Sequence, residues 1–300
     1  MGKSRVKAAI AGKPLGPLGL GCATFGREID EAAAFALMDE AFNRGITLLD
    51  TAAAYGNGSS ERMVGAWLTS RRPAGVILAT KLLPPYEPAK LEKDLEQSLE
   101  RLGVASVDLL YLHQWHADVE NPATLAVLAG WLRHGRVREL GASNFRSSQL
   151  ARALSDQRGA GLASFAVIQT NHNFAVSDLD PAMQERCAAE GIAVVTYSPL
   201  GAGFLTGKHR GGVAAGSRFA ISPGHQAVYF QPEAWRRLEI LEAVAGRHGL
   251  PPAHLALAWA MHSRPTDCVL IGGRSLAHLD QAFAAHALND PALFAELESA

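Results

Sequence analysis

The stretch VILATKLLPPYEPAKLEKDLEQSLERLGVASVDLLYLH, residues Val76–His113, contains one complete strand–helix–strand pattern. It opens and closes on short apolar runs, Val76–Ala79 and Val107–Leu112. Between these runs, leucines recur every three or four residues through 91–102, and Gly103 follows as a helix stop. Two buried runs joined by an amphipathic helix are typical of neighbouring parallel strands.

The same pattern repeats along the whole chain. The apolar runs that could form strands are Leu18–Gly21, Ile46–Leu49, Val76–Ala79, Val107–Leu112, Val137–Gly141, Phe165–Ile168, Ile192–Thr196 and Cys268–Ile271. Eight such runs alternating with helices predict an α/β fold, a (β/α)8 TIM barrel that occupies residues 1–300 as a single domain. A two-domain, doubly wound enzyme would also alternate strands and helices, but it should show a central linker and a glycine-rich turn after its first strand, and neither is visible.

Several segments fall outside the regular repeat. Residues Val6–Leu15 are predicted to form a short N-terminal hairpin that closes the barrel floor. After the seventh strand, the Gly-, Arg- and Pro-rich stretch 207–232 is predicted to be a long, mobile loop over the barrel mouth. Trp235–His248 and Pro252–Met261 are interpreted as helices, and the tail from Asp290 onward as a final helix.

Composition limits the kinds of partner. The formal net charge is −1 and the pI is near 6.8, which gives no electrostatic reason to expect nucleic acid or an acidic membrane. The cysteines Cys22, Cys187 and Cys268 are far apart and lack the spacing of a zinc site or a disulfide framework, so we expect no metal. We find no signal-peptide pattern and no window with the roughly twenty apolar residues of a membrane span, and therefore expect a cytoplasmic protein. The oligomeric state is not readable from the sequence.

Polar residues follow strand after strand at the point where each strand ends. They are Asp50, Lys81, His113, Ser143, Asn144, Gln169 and Tyr197. Taken alone, an aspartate can form a turn, a lysine can lie on the surface and a histidine can be a hydrogen-bonded core residue. In a (β/α)8 barrel, however, the active site lies at the carboxyl ends of the strands, so polar residues at successive strand ends predict a site at the barrel mouth.

These residue types suit proton transfer coupled to hydride delivery. A tyrosine hydroxyl has an unperturbed pKa of about 10, so a nearby cation is needed to favour its ionised form near neutrality. Lys81 would supply that cation, and Asp50 would keep the lysine charged in a dry barrel mouth. His113 would donate a hydrogen bond to a substrate carbonyl oxygen.

Over nearly its whole length, the chain resembles the aldo-keto reductase family. The matching stretches, in order, are GLGCATFG, LLDTAAAYGNGSSERMVG, ATK, VDLLYLHQWH, GASNF, IQTNHNF and TYSPLGAGFLTGK. Matched residue by residue, the catalytic tetrad of the family falls on Asp50, Tyr55, Lys81 and His113. The resemblance implies an oxidoreductase that interconverts a carbonyl and an alcohol, with Tyr55 as general acid and base. It also implies NADP(H) as cofactor, with NAD(H) as the alternative, laid across the barrel top.

The resemblance assigns further residues to the cofactor. Ser143, Asn144 and Gln169 would hold the carboxamide, and Tyr197 would stack on the nicotinamide ring. The other implied contacts are Thr24, Ser198, Leu200, Gly201, Gly203, Lys208, Arg218, Gly272, Gly273, Arg274, His278 and Gln281. The chain departs from the family after the eighth strand, where LIGGRSLAHLDQA places Ala282 at a position that cannot supply an amide to the adenine. Cofactor choice is therefore less closely defined than cofactor class.

The substrate end departs from the family too, because His116 stands where the nearest relatives often have aspartate. A metal pair formed by His113 and His116 is disfavoured, since strand alternation points residues three apart to opposite sides. Phe25, Trp115 and His116 are predicted to line the substrate pocket, together with Tyr55 and the loop aromatics Phe219, Tyr229 and Phe230. Such walls suit a small-molecule carbonyl or alcohol, among which a sugar, a sugar nucleotide or an aromatic aldehyde are candidates. The alternative functions are a cofactor-binding regulatory subunit of the same fold, without significant turnover, and a barrel isomerase or lyase.

Overall fold

The structure is a computed structural model that describes residues 8–300. An antiparallel hairpin comes first, formed by β1 (Ala9–Ile10) and β2 (Lys13–Pro14). The remaining strands are β3 (Leu18–Gly21), β4 (Leu48–Asp50), β5 (Ile77–Leu82), β6 (Val107–Leu112), β7 (Val137–Ser143), β8 (Val167–Asn171), β9 (Ala193–Tyr197) and β10 (Cys268–Ile271). Strands β3 to β10 are parallel and pair in chain order, and β10 pairs with both β9 and β3, which closes the barrel. The predicted eight-stranded barrel is confirmed.

Helices separate the strands and cover the barrel. They are α1 (Glu31–Asn43), α2 (Ser59–Arg71), α3 (Pro88–Leu102), α4 (Pro122–Arg133), α5 (Ser147–Gly159), α6 (Pro181–Glu190), α7 (Arg218–Ile221), α8 (Gln226–Tyr229), α9 (Pro232–Arg247), α10 (Pro252–His262), α11 (Leu276–Ala287) and α12 (Pro291–Ser299). Helix α3 shows why the pattern works: its leucine stripe is buried, and Gly103 ends it in the left-handed conformation, at φ 65°. Within residues 8–300, no helix is long and apolar enough to cross a membrane.

Several strands extend further toward the barrel mouth than their apolar runs. Strand β8 was expected at Phe165–Ile168 and lies at Val167–Asn171, while β7 continues past Gly141 to Ser143. Most of the added residues are polar, yet their backbones pair within the sheet, as Ser143 does with Gln169. An apolar run marks where side chains fill the core, whereas a strand ends where backbone pairing ends.

The hairpin closes the floor of the barrel. Ile10 and Leu15 pack against apolar side chains inside the barrel, including Leu48 of β4 and Leu109 of β6. Full burial of a side chain the size of Ile10 contributes about 1.5–3 kcal/mol. The hairpin is also tied to the barrel by Lys13, which pairs with Asp108, Nζ to Oδ1, at 2.8 Å. The first two residues of the predicted hairpin, Val6 and Lys7, lie outside the described residues.

The segment after β9 has more regular structure than its composition suggests. It contains 3₁₀ turns at Gly201–Thr206 and Pro223–His225 as well as the short helices α7 and α8. An aromatic cluster anchors it to the barrel and to α9. The cluster consists of Phe204, Phe219, Tyr229, Phe230 and Trp235, with ring centroids 4.6–6.0 Å apart. The mobility expected of residues 207–232 remains a prediction.

Candidate active site

A cavity of about 580 Å³ opens at the carboxyl ends of the barrel strands. Of the predicted cofactor contacts, all except Gly201 line it, and so do Asp50, Tyr55 and His113. The lining residues from the strand ends are Gly21, Asp50, Ser143, Gln169, Tyr197, Leu270 and Ile271. The segments beyond the strands add Ala23, Thr24, Glu28, Tyr55, His113, Asn144, Ser198, Pro199, Leu200, Ala202, Gly203, Thr206, Lys208, Arg218, Ile221, His225, Ala253, Leu257, Gly272, Gly273, Arg274, His278, Gln281 and Ala282.

Lys81 lies behind the cavity wall and connects two of the predicted catalytic residues. Its Nζ donates to Oδ1 of Asp50, to the carbonyl oxygen of Thr51 at 2.9 Å and to the hydroxyl of Tyr55 at 3.3 Å. Lys81 is fully buried and Asp50 is 1% exposed. Because a lysine nitrogen has three protons, these three acceptors satisfy it completely.

A tight turn brings Tyr55 over Lys81. Gly56 and Asn57 adopt left-handed conformations, at φ 55° and 52°. A Cβ added to Gly56 would lie 3.0 Å from the carbonyl oxygen of Phe25, so the turn can approach the segment after β3 only with glycine at this position. The turn and the buried Phe25 together fix where the Tyr55 hydroxyl lies.

Burial and neighbouring charges act in opposite directions on the pKa values of Tyr55 and Lys81. Burial raises the pKa of Tyr55, and the positive charge of Lys81 opposes that rise without cancelling it. Burial lowers the pKa of Lys81, but Asp50 and then Tyr55 outweigh it, so the lysine stays charged. The sequence argument considered only the effect of the cation on the tyrosine. In the structure, desolvation is larger, and the Tyr55 hydroxyl therefore carries its proton at neutral pH.

His113 follows β6 and stands edge-on to Tyr55, with ring centroids 5.8 Å apart. Burial, followed by the charge of Lys81, lowers the pKa of His113 to about 3. The imidazole is therefore neutral near pH 7. Within residues 8–300, its Nδ1 is buried without a hydrogen-bond partner. A neutral ring that lines the cavity can donate one hydrogen bond to a ligand without a change of charge.

The floor of the cavity is held by amide side chains. Nδ2 of Asn144 donates to the carbonyl oxygen of His113 at 2.9 Å and to Oγ of Ser143 at 3.1 Å, while its Oδ1 accepts from the Tyr197 hydroxyl at 2.6 Å. Gln169 donates from Nε2 to Oδ2 of Asp50 at 2.8 Å. Asn144 thus connects the ends of β6, β7 and β9, and Gln169 connects the ends of β8 and β4.

The far end of the cavity is positively charged and narrow. Lys208 and Arg274 both line this end, and burial followed by the charge of Arg274 lowers the pKa of Lys208. A Cβ on Gly203 would lie 3.0 Å from Nζ of Lys208, and one on Gly273 would lie 2.8 Å from Cβ of His278. Clustered cations beside glycines that permit close approach fit an anionic group such as a phosphate.

Two contacts bring the long loop onto this end of the cavity. Arg218 pairs with Glu28, NH1 to Oε1, at 3.0 Å, and Arg274 donates from NH1 to the carbonyl oxygen of Gly216 at 2.9 Å. Glu28, Ile221 and His225 consequently line the cavity, which the sequence did not predict. Ala253 and Leu257 join them because α10 points its first turns at the mouth. No motif in the sequence marks these positions.

Of the residues predicted to line the substrate pocket, Tyr55 lines the cavity and the others lie outside its lining. Phe25 is fully buried in the core, and neither Trp115 nor His116 lines the cavity. Nδ1 of His116 lies 2.9 Å from Oδ2 of Asp118, which gives this histidine a local partner. The loop aromatics predicted with them, Phe219, Tyr229 and Phe230, form the anchoring cluster and also lie outside the lining. Within residues 8–300, no group of three or more His, Cys, Asp or Glu side chains is arranged to hold a metal.

Fold and site together define a barrel whose mouth holds a buried Asp–Lys–Tyr group beside a neutral histidine. Residues 17–298 match the Aldo/keto reductase family. The chain therefore belongs to that family, and the likeness is to carbonyl oxidoreductases.

Curated relatives agree with this membership. The chain is 28% identical to a norsolorinic acid reductase of Aspergillus flavus, over 94% of this chain and 76% of that protein. It is 27% identical to norsolorinic acid reductase A of Aspergillus parasiticus, with the same coverage of both chains. It is 28% identical to norsolorinic acid reductase B of Dothistroma septosporum, again over 94% and 76%.

Proposed function

We propose that the protein is an NADP(H)-dependent oxidoreductase that reduces a small-molecule carbonyl to an alcohol or catalyses the reverse reaction. The observation that carries the proposal is the buried Lys81, whose hydrogen bonds join Asp50 to Tyr55 at the cavity wall. Buried ion pairs contribute little to folding stability. A buried lysine that is paired with a carboxylate and placed against a phenol therefore favours a role in proton transfer.

The bound cofactor would supply the hydride that adds to the carbonyl carbon. Tyr55 would give its proton to the carbonyl oxygen, and the negative charge left on the phenolate would be held by Lys81. His113 would donate a hydrogen bond to the same oxygen and orient it. In the reverse direction, the Tyr55 phenolate would take the alcohol proton as the hydride leaves carbon.

The residues that line the cavity suit a nicotinamide dinucleotide that carries an additional phosphate. Ser143, Asn144, Gln169 and Tyr197 line the cavity floor, where the first three would hold the carboxamide. At the far end, the cation cluster would hold the phosphates and, in NADP(H), the additional phosphate on the adenosine ribose. NAD(H) lacks that phosphate and is the weaker alternative. The adenosine end would use Thr24, Ser198, Leu200, Gly272, Gly273, His278 and Gln281.

The substrate class follows less directly. The relatives are norsolorinic acid reductases, which makes norsolorinic acid the first compound to include in a substrate panel. Sugars, sugar nucleotides and aromatic aldehydes are the further classes that the sequence indicates. The cavity lining contains polar and apolar residues, including Tyr55 and Ile221, and would suit either a sugar ring or an aromatic ring.

The test is NADPH consumption with a panel of aromatic ketones, aldehydes and sugars, using wild type and Tyr55→Phe. General acid catalysis contributes about 10²–10⁴-fold, so the variant should lose at least 10²-fold in kcat while still binding NADPH. Tyr229→Phe is the matched control, because its hydroxyl donates to Asn171, at 2.9 Å, outside the cavity lining. Full turnover by Tyr55→Phe would contradict the proposal. NADPH binding without turnover in wild type would favour a regulatory subunit, and turnover without nicotinamide would favour an isomerase or lyase.

A further inference from the structure

The two carboxylate oxygens of Asp50 are held from different sides of the barrel. Oδ1 accepts from Lys81 on the adjacent strand β5, and Oδ2 accepts from Nε2 of Gln169 at 2.8 Å. Gln169 belongs to β8, four strands away from β4 in the eight-stranded ring, and therefore reaches Asp50 across the barrel interior. Both side chains are almost completely buried, at 1% and 2% exposure.

We propose that Gln169 is a positioning residue for proton transfer, which holds the Asp50 carboxylate so that Lys81 stays directed at Tyr55. This inference rests on the proposed role of Tyr55 as general acid and base. It gives Gln169 a role in addition to the cofactor contact that the resemblance implies. Gln169 would then belong both to the base of the cavity and to the proton-transfer group.

The hydrogen-bond pattern around Asp50 supports this role. Among residues 8–300, the side chains that donate to its carboxylate are Lys81 and Gln169. A buried carboxylate oxygen that loses its donor bears the full desolvation penalty, and a hydrogen bond to a charged group is stronger than a neutral one. Asp50 is only 1% exposed, so little of its carboxylate is open to solvent.

The other titratable groups that face the site add no second cation. Cys22, which follows β3, directs its Sγ at the carbonyl oxygen of Leu20, at 3.6 Å, and burial raises its pKa. Burial likewise raises the pKa of Tyr111 of β6 and of Cys268 of β10. His113 is neutral and Tyr197 donates to Asn144. These groups face Asp50, Lys81 or Tyr55 as neutral neighbours, so Lys81 is the cation of the group.

Loss of the Gln169 donor has a defined direction. Without the Gln169 donor, the Asp50 carboxylate is free to turn away from Lys81, so Lys81 is no longer held against Tyr55 and opposes the effect of burial on the pKa of Tyr55 less strongly. The phenol should then ionise at higher pH. In the alcohol-oxidising direction, where Tyr55 must be ionised, the rising limb of the pH–rate profile should move upward by about half a unit to one unit.

The test compares Gln169→Met with Ser143→Ala. Methionine keeps the length of the side chain without its donor. Ser143 lines the same floor and pairs with Gln169 in the sheet, but its Oγ contacts Asn144 and not Asp50. Both variants remove a group that would hold the cofactor carboxamide, so both should weaken NADPH binding. Only Gln169→Met should change the Asp50–Lys81–Tyr55 group.

Two measurements separate the outcomes. In the cofactor-free protein at fixed neutral pH, carbon NMR of labelled Asp50 and Tyr55, assigned with Asp50→Asn and Tyr55→Phe, should show shifted resonances in Gln169→Met and unshifted ones in Ser143→Ala. In the holoenzyme, the pH limb for alcohol oxidation should move only in Gln169→Met. Unshifted resonances in a folded Gln169→Met would overturn the proposal, and so would a pH limb that matches wild type. If wild type binds no nicotinamide and turns over no substrate, the proposed function fails, while the cofactor-free resonances still report on the bond.

Discussion

The hydroxyl of Tyr197 donates to Oδ1 of Asn144 at 2.6 Å, and the same amide donates from Nδ2 to the carbonyl oxygen of His113 at 2.9 Å. Three strand ends, from β9, β7 and β6, are therefore joined through one asparagine. Asn144 adopts a left-handed backbone conformation, at φ 58°, which asparagine tolerates better than most residues. The ring proposed to stack on the nicotinamide is thus connected through Asn144 to the backbone of His113.

Removal of the Tyr197 hydroxyl tests whether this bond prepares the cofactor site. Tyr197→Phe keeps the ring but frees Asn144, and a hydrogen bond of this kind contributes about 0.5–1.5 kcal/mol. We expect NADPH affinity to fall by about 2- to 12-fold, measured by quenching of tryptophan fluorescence. Tyr197→Ala, which also removes the ring, should weaken binding further. Equal affinities for wild type and Tyr197→Phe would show that the hydroxyl does not prepare the site.

Removal of the buried cation should affect both stability and activity. Lys81→Met leaves Asp50 as an uncompensated buried charge, so we expect the free energy of unfolding to fall by about 3–5 kcal/mol, measured by urea denaturation. Turnover should fall by at least about 10²-fold because Tyr55 loses its stabilising cation.

The double variant Asp50→Asn/Lys81→Met separates these two effects. With both charges gone, stability should return toward the wild-type value while turnover stays low. If turnover also recovered, Lys81 would have a structural role only.

The hairpin floor gives a prediction that is independent of the chemistry. Ile10 is fully buried inside the barrel end, and its replacement by alanine leaves a cavity among side chains that cannot collapse around it. Ile10→Ala should lower the free energy of unfolding by about 2–5 kcal/mol, and Ile10→Val by about 0.5–1.5 kcal/mol. Neither variant should change KM, since the mouth lies at the opposite end. A changed KM in a variant that remains folded would contradict the assignment of the hairpin to the floor of the barrel.

Acid stability should depend on a buried histidine away from the cavity. Nδ1 and Nε2 of His172 lie 2.7 Å from the hydroxyls of Ser177 and Ser263, and burial lowers the pKa of His172 to about 4. Since the unfolded histidine titrates near 6.5, the unfolded state binds the proton first as pH falls, and stability decreases from about pH 6.5 down to about pH 4. Between pH 7 and pH 5 this group should cost about 2 kcal/mol, a loss that His172→Gln should largely remove. Parallel pH dependences in wild type and variant, measured by urea denaturation, would show that His172 is not responsible.

Parts of this structure follow from local pattern. The leucine stripe of α3 predicts its helix because the period of apolar residues decides which face is buried. Asp50, Lys81 and His113 could be placed together from sequence because the carboxyl ends of parallel strands meet at one end of a barrel. These inferences need only the order of the elements and the direction of the strands.

Other features depend on how distant segments meet. Phe25 was assigned to the pocket by residue type, yet it is fully buried in the core and lies outside the cavity lining. Glu28 lines the cavity next to its partner Arg218, 190 residues away, a pairing that no local pattern marks. The contact between Gln169 and Asp50 likewise spans 119 residues. Side-chain contacts across a barrel require the closed structure.

The cation cluster at the far end of the cavity leads to a prediction about cofactor choice. Arg274 lines the cavity near Lys208 and donates to the carbonyl oxygen of Gly216, so it both adds charge and braces the long loop. Arg274→Ala should weaken NADPH binding more than NADH binding, because only NADPH presents a ribose phosphate to pair with the guanidinium. Since a hydrogen bond to a charged group contributes about 1.5–3 kcal/mol, we expect the NADPH/NADH affinity ratio to fall by about 10- to 150-fold in fluorescence titrations.

The matched control for this change is Arg247→Ala. Arg247 lies on α9 and pairs with Glu296 on the exposed surface, NH2 to Oε1, at 2.6 Å, so its loss should leave both affinities near the wild-type values. An equal loss of NADPH and NADH affinity in Arg274→Ala would mean that the arginine braces the loop without reading the ribose phosphate. In that case Lys208→Ala should produce the selective loss instead, because Lys208 also lines this end of the cavity. Unchanged ratios in both variants would remove the physical basis for NADP(H) preference and favour NAD(H).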